Sequence, residues 1–354
     1  MTKNKSNSGL SILFGISFLT PVTYSLVTYE NDVVQRVFFF SISFLLFLVF
    51  IAKYTSDERV SLNSSLLILM VIFPFTFLTA FINGSGSLLI LRLSDIIVPL
   101  TILLQSALLL VILGEEKFLK VVSYSVVIVS TVFSILGVLE VFLLEIVSLP
   151  SVIPPGSTLG HRSFAAEYLL SSLPFFLILN EYVEKERKIF LLLAAVINIS
   201  FLLFTRNRSG IIILVAITLI YIIYILIKKK KGTRLKTLTP IFSVLVISFL
   251  ISLIQVKGTE RPDIELTVKT FFDTNFKSNV LRINFWDASI QMIRENPLVG
   301  IGLYKWSGYY PKYSGDYFND DNLTYIHNIH AHNDFLELFA ENGIMSPLVF
   351  LLIY

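Results

Sequence analysis

Apolar runs of roughly 17–25 residues, the length of a membrane-spanning helix, recur from one end of the chain to the other. Charged or Gly/Asn/Ser-rich stretches separate them. At 1.5 Å of rise per residue, such a run covers the ~30 Å hydrocarbon core of a bilayer. The pattern predicts spans near 10–28, 34–52, 62–82, 94–113, 121–145, 163–181, 188–204, 209–227, 239–255 and 335–354. With no water at membrane depth, each backbone N–H and C=O must pair inside its own segment or a closed sheet, so these spans are expected to be helices. The alternation of a membrane β-barrel, about ten residues per strand, is a different pattern. The expected fold class is all-α. A polytopic transmembrane bundle occupies 1–255, a long extracytoplasmic loop with short amphipathic helices occupies 256–334, and 335–354 starts a further transmembrane helix, for about ten spans in this chain.

Composition supports this. The 354 residues are 55% hydrophobic and 15% charged, with mean hydropathy +0.77; soluble domains carry about 25% charged residues. The net charge of +3 makes no case for nucleic acid as a partner. Cysteine is absent, which excludes disulfides, thiolate metal sites and cysteine nucleophiles. The N-terminal MTKNKSNS precedes an apolar run from Leu10 without a small-residue cleavage site, the pattern of an uncleaved first span. The chain ends at Tyr354 within an apolar run, so the natural protein is expected to continue beyond it.

Charge asymmetry gives an orientation. With the N-terminus inside, the cytoplasmic segments hold Lys3, Lys5, Lys53, Arg59, Lys117, Lys120, Lys185, Arg187, Lys188, Lys228 to Lys231, Arg234 and Lys236. The short outer segments hold Arg36, Arg92, Arg162, Arg206 and Arg208. Short loops rich in Lys and Arg mark the cytoplasmic side. Four features then gather at the outer face: GSTLGHRSF (Gly156–Phe164), TRNRSG (Thr205–Gly210), the long loop, and HNIHAHNDFLELFAENG (His327–Gly343). Chemistry, if the protein performs any, is expected there.

Within the long loop, Asn279–Asn296 has a helical pattern: Leu281, Phe285, Ala288 and Met292 fall on one face, with Arg282, Asp287, Gln291 and Arg294 between them. Pro297 stops it and Gly300 and Gly302 supply a turn. The aromatic-rich stretch after Gly302 fits anchoring at a membrane interface, and equally stacking on sugar faces.

Arginines at the outer lip either snorkel or bind phosphate, for which a planar, permanently charged fork is suited. Arg206 and Arg208 run against the charge bias, and Arg162 and Arg282 are expected on the same face, a set able to hold a lipid diphosphate without a metal ion. His327, His330 and His332 crowd into one short segment. H-x-x-H-x-H matches none of the familiar zinc spacings. A metal site, a hydrogen-bonding role at the helix lip and a general-base role, chiefly for His332, all remain open from the residues alone. Asn333 and Asp334 are positioned to cap the following helix, and Asp334 or Glu337 to orient the ring.

TRNRSG before a span, RINFWDASIQMIRENPLVGIG (Arg282–Gly302) and HAHNDFLELFAENGIMSPLVFLL together resemble the O-antigen ligase and polymerase family. The motifs cover roughly 150–354, and the earlier spans agree in topology only. The resemblance implies a polytopic helical glycosyltransferase of the bacterial cytoplasmic (inner) membrane, its active site facing the periplasm. The donor would be a glycan on undecaprenyl diphosphate, the acceptor lipid A core or another glycan, and the surroundings membrane lipid. No cofactor and no metal is expected. The family's motif arginine falls on Arg208, although the motif here reads N-R-S-G, with Asn207 and Ser209 departing from the common form. A second arginine falls on Arg282, and the family's H-N pair falls on His332 and Asn333. The resemblance thus implies diphosphate binding by Arg208 and Arg282, with His332 as the catalytic base. Arg162, His161, Arg206, His330, Asn333 and Asp334 are secondary candidates. A polymerase and a protein O-oligosaccharyltransferase would share the donor chemistry of a ligase. A polysaccharide flippase or transporter is the rival from another class, for which Glu140, Glu145, Glu167 and Glu337 in or near spans are the pointers; a non-catalytic scaffold for glycan assembly is a third.

Overall fold

A computed structural model describes residues 11–23, 31–53, 83–84, 93–142, 149, 154–254, 277–314 and 330–344. The span expected near 62–82 lies outside the described residues apart from the Asn83–Gly84 turn beyond its end, and His327 lies outside them too. Among the described residues every regular element is helical. The chain divides into two compact units, residues 1–58 with 109–271 and residues 59–108 with 272–354.

Helix α1 is Asn31–Lys53 and α2 is Leu93–Leu113. The first unit is built on α3 (Glu115–Phe142), α4 (Arg162–Tyr182), α5 (Lys188–Phe204), α6 (Arg208–Lys228) and α7 (Lys231–Ser252). These five are long and apolar enough to cross a membrane. Residues 11–17 are helical, and a 3-10 turn follows at Thr20–Val22. Helix α7 starts at Lys231, earlier than the apolar run near 239–255 suggested, and holds Pro240 in its interior. Lys, Thr and Arg are tolerable helix formers, so the basic stretch winds into helix although hydropathy marks no run there.

The core of this unit is aromatic. Phe133, Phe201 and Phe204 are wholly buried, with Leu169 and Leu202 around them. The Phe133 ring meets Tyr168 edge-on at 4.9 Å and Phe201 at 5.8 Å. Gly137 makes this possible: a Cβ there would lie 2.0 Å from the Phe201 ring. Small residues let membrane helices approach where burial of apolar surface drives little. Interhelical hydrogen bonds add to the packing. Asn198 on α5 donates to Thr131 Oγ1 on α3 at 3.2 Å, and Ser248 on α7 donates to the Val196 carbonyl at 3.1 Å. The outward faces of α6 and α7 carry exposed Ile212, Ile220, Ile227, Phe242 and Leu250, suited to lipid rather than water.

The second unit contains α8 (Lys277–Glu295), α9 (Trp306–Tyr313) and α10 (Asp334–Asn342). Phe285, Ala288 and Met292 of α8 are buried as the helical pattern predicts, and Leu281 packs at their margin. Trp306, Tyr310 and Tyr313, expected as membrane anchors or sugar platforms, are instead core residues. Each buried polar end is paired: Trp306 Nε1 donates to Ser289 Oγ at 2.9 Å and Tyr310 donates to Asn284 Oδ1 at 2.8 Å. The apolar face of α8 needs a cover, and these aromatics supply it.

A close backbone joint completes the unit. Ile301 N–H donates to the Ala340 carbonyl and Gly302 N–H to the Glu341 carbonyl, both at 2.9 Å, while Ile344 N–H donates to the Pro297 carbonyl at 2.9 Å. Gly300 (φ +69°) and Gly343 (φ +71°) sit in the left-handed region. A Cβ on Gly300 would lie 2.2 Å from the Glu341 carbonyl oxygen, and one on Gly343 2.1 Å from that of Leu298. Only glycine satisfies both the torsion and the space. Helix α10, expected to begin a span running to 354, is described to Asn342, with Gly343 at its C-cap donating to the Phe339 carbonyl.

Candidate active site

The candidate residues fall into two groups, one in each unit.

In the first unit they sit at the ends of α4, α6 and α7. The His161 ring caps α4, its Nδ1 accepting the Ser163 N–H at 3.1 Å, and Arg162 is the first residue of the helix. Ahead of it, the Ser157 N–H is held by the buried Glu140 carboxylate at 2.7 Å, and the Ser157 hydroxyl donates to the Phe133 carbonyl at 2.8 Å. Glu140, a pointer to transport by sequence, therefore anchors the GSTLG turn. Asn207 caps α6: its Oδ1 accepts the Gly210 N–H at 2.8 Å and its Nδ2 donates to Ser163 Oγ at 3.0 Å. The N-R-S-G form of the motif thus carries its own cap and ties α6 to α4. Arg208, half-buried, is the first residue of α6. Arg206 has φ +51° and donates from Nη2 to the Ser252 carbonyl at 2.6 Å. A guanidinium on the C-terminal carbonyls of α7 complements the negative end of that helix. Arg206 is thus engaged in holding α7.

In the second unit, α8 and the start of α10 bring Arg282, His330, His332, Asn333 and Asp334 together. Asn333 is the N-cap of α10 and accepts the Leu336 N–H at 3.2 Å, and Asp334 is exposed in the first turn, where an acid suits the helix dipole. Glu337, one turn on, grips the histidine segment with both oxygens. Oε1 meets His330 Nδ1 at 2.8 Å and Oε2 accepts the Ala331 N–H at 2.7 Å. Ala331 is wholly buried, so the segment is pinned between two exposed histidines. Sequence reasoning had Glu337 orienting the ring of His332. The structure has it fixing the backbone just before that residue.

His332 adopts φ +52°, a left-handed conformation costing about 1–2 kcal/mol for a non-glycine residue. Strain of this kind persists where the surroundings enforce it. Its ring lies tilted against Phe285, centroids 5.9 Å apart, and the residue is exposed. Arg282 is one turn before Phe285 on α8 and within electrostatic reach of the ring. Partial burial against α8 pushes the imidazole below its ordinary value of 6.5; the charges of Arg282 and His330 push the same way, and Glu337 and Asp334 oppose them. Burial and these charges thereby favour the neutral form of the ring, with the Arg282 cation within electrostatic reach.

Residues 193–351 match the family described as O-Antigen ligase. That segment begins within α5, includes Arg206 and Arg208, and ends after α10. No curated protein matches the chain, and no solved structure matches it.

Proposed function

We propose, from the premise that residues 193–351 belong to the O-antigen ligase family, that this chain is a membrane glycosyltransferase acting on a glycan carried by undecaprenyl diphosphate. The family supports an O-antigen ligase- or polymerase-like enzyme with lipid-linked glycan substrates, and the five apolar helices support a multi-pass membrane protein. The reaction is a ligase-type transfer at the outer side of the cytoplasmic membrane. The acceptor hydroxyl attacks the anomeric carbon of the carrier-linked sugar as its proton passes to His332. The bond from that carbon to the phosphate oxygen breaks, and undecaprenyl diphosphate leaves with the electron pair. Attack from the opposite face inverts the anomeric centre.

Arg282 offsets the charge that develops on the leaving diphosphate, and Arg208 is assigned the same role from its motif. Positioned cations at a developing anion contribute several kcal/mol in many enzymes, and a guanidinium fork fits phosphate oxygens. With that charge met by arginine, transfer needs no added divalent ion. The observation carrying this reading is geometric: the His332 ring stands against Phe285, one turn from Arg282 on α8, so that one unit holds an imidazole and a cation within electrostatic reach of it. A cation on the leaving group and a neutral base on the nucleophile are what the transfer requires.

The test is transfer by the purified chain from an undecaprenyl-diphosphate-linked glycan, with EDTA present. His332→Ala is expected to lower the rate by about 10²–10⁴-fold, the usual share of a general base. Full activity in that variant removes the assignment of the base, and loss of wild-type activity on chelation removes the metal-free mechanism.

A further inference from the structure

Helices α4 to α7 leave a cavity of about 340 Å³ between them, within the range of small-molecule sites. The helices alternate in direction, so the end of α4, the start of α5, the end of α6 and the start of α7 share one end of the bundle. Lys188, Lys236, Asn180 and Tyr221 line the cavity there. Deeper in, the walls are apolar, with Leu192, Ile199 and Leu214 among them. From Lys188 to Ile199, α5 rises about 16 Å at 1.5 Å per residue, about half the ~30 Å hydrocarbon thickness of a bilayer. The cavity therefore has the depth of a single leaflet, a cationic mouth and a hydrocarbon interior.

That profile fits an amphiphile with a negative head. An ammonium is a compact point charge suited to phosphate, and basic pockets between transmembrane helices recognise anionic lipid headgroups. Glu181 reaches Tyr221 electrostatically, but the two lysines outweigh that single acid. We propose that this cavity binds an anionic phospholipid, with one acyl chain between α5, α6 and α7 and the headgroup phosphate held by Lys188 and Lys236. The site belongs to the first unit and is independent of the transfer chemistry proposed above.

The experiment is native mass spectrometry of the full chain in mild detergent, titrated with phosphatidylglycerol or with phosphatidylcholine of identical acyl chains. Phosphatidylglycerol is expected to bind the more tightly. Each of Lys188→Gln and Lys236→Gln should weaken it about five-fold, the effect of one basic residue at a lipid surface, and the double variant should show no preference between the lipids. Ala195→Trp, which fills the cavity with both lysines intact, should weaken both lipids at this site and serves if the double variant does not fold. Equal binding of the two lipids by the wild type overturns the proposal, as does a phosphatidylglycerol preference that survives both the double variant and Ala195→Trp.

Discussion

The bundle and the smaller unit solve the burial of polar groups in opposite ways. Among the described residues, the buried side-chain atoms without a partner (Ser43, Ser123, Ser134 and Ser200 hydroxyls and Asn198 Oδ1) all belong to the bundle. In the second unit, Trp306, Tyr310, Asn284, Ser289 and Glu341 sit in the core with their polar atoms bonded, the Glu341 carboxylate accepting the Trp306 N–H at 3.0 Å. A hydroxyl in a helix can turn back to its own backbone at little cost, so a bundle accommodates serines loosely and takes its register from shape, as at Gly137 and Phe201. The core of the second unit depends on directed bonds, which fix one arrangement. The candidate base is in the unit with the bonded core, where its geometry is most tightly held.

After His332→Ala, the largest expected effect breaks the functional side of this contrast. Arg282→Ala should reduce transfer by about 10²–10³-fold, as removal of one preorganised donor does elsewhere, and Arg208→Ala should act in the same direction. Their double variant, measured by initial rates, sharpens the comparison: losses that fall short of multiplying mean that both arginines serve one diphosphate. Next come the glycines. Gly300→Ala, forced into a left-handed torsion against the Glu341 carbonyl, should destabilise the second unit by about 3 kcal/mol. Gly137→Ala meets a ring that can shift, and should cost the bundle about 2 kcal/mol. Thermal unfolding in detergent ranks the two, and a reversed order would refute the view that the bundle is the more forgiving. Arg206→Gln should lower bundle stability by about 1 kcal/mol through the α7 terminus while the rate per folded molecule persists. The smallest effect is on pH. The His332 value lies below 6.5 in the folded chain, so the neutral ring is favoured by folding. That contribution is present above 6.5 and is lost as pH falls through the lower folded value. Arg282→Gln removes a charge that depresses the ring and should move its titration upward, read by NMR of labelled histidine.

Much of the fold was legible because hydropathy reports what a helix faces. The spans expected at 163–181, 188–204 and 209–227 appear as α4, α5 and α6 within a residue or two. The same property blinds it to helix outside hydrocarbon, which is why the first two turns of α7 were missed. The amphipathic pattern of α8 held at Phe285, Ala288 and Met292. What covers that face was not legible: Trp306, Tyr310 and Tyr313 fall at helical spacing, but their helix is short and contains a proline, and an aromatic reads alike as anchor, platform or core. At the candidate site, residue types and the motif set Arg208 apart from Arg206, but the contact of Arg206 with the Ser252 carbonyl, distant in sequence, was not legible. The double grip of Glu337 depends on how the histidine segment folds back over α10, which no spacing encodes.

The paired bonds from Ile301 and Gly302 to Ala340 and Glu341 bring two positions about forty residues apart into direct backbone contact. Everything between them is then a ring closed at its neck. Lengthening such a ring alters its closure entropy only logarithmically, by about 0.6 kcal/mol for each doubling. A change of chain length between α9 and α10 therefore costs this joint little, because the paired backbone bonds and the two glycines beside them, rather than the length of the connection, fix where α10 meets the turn after α8.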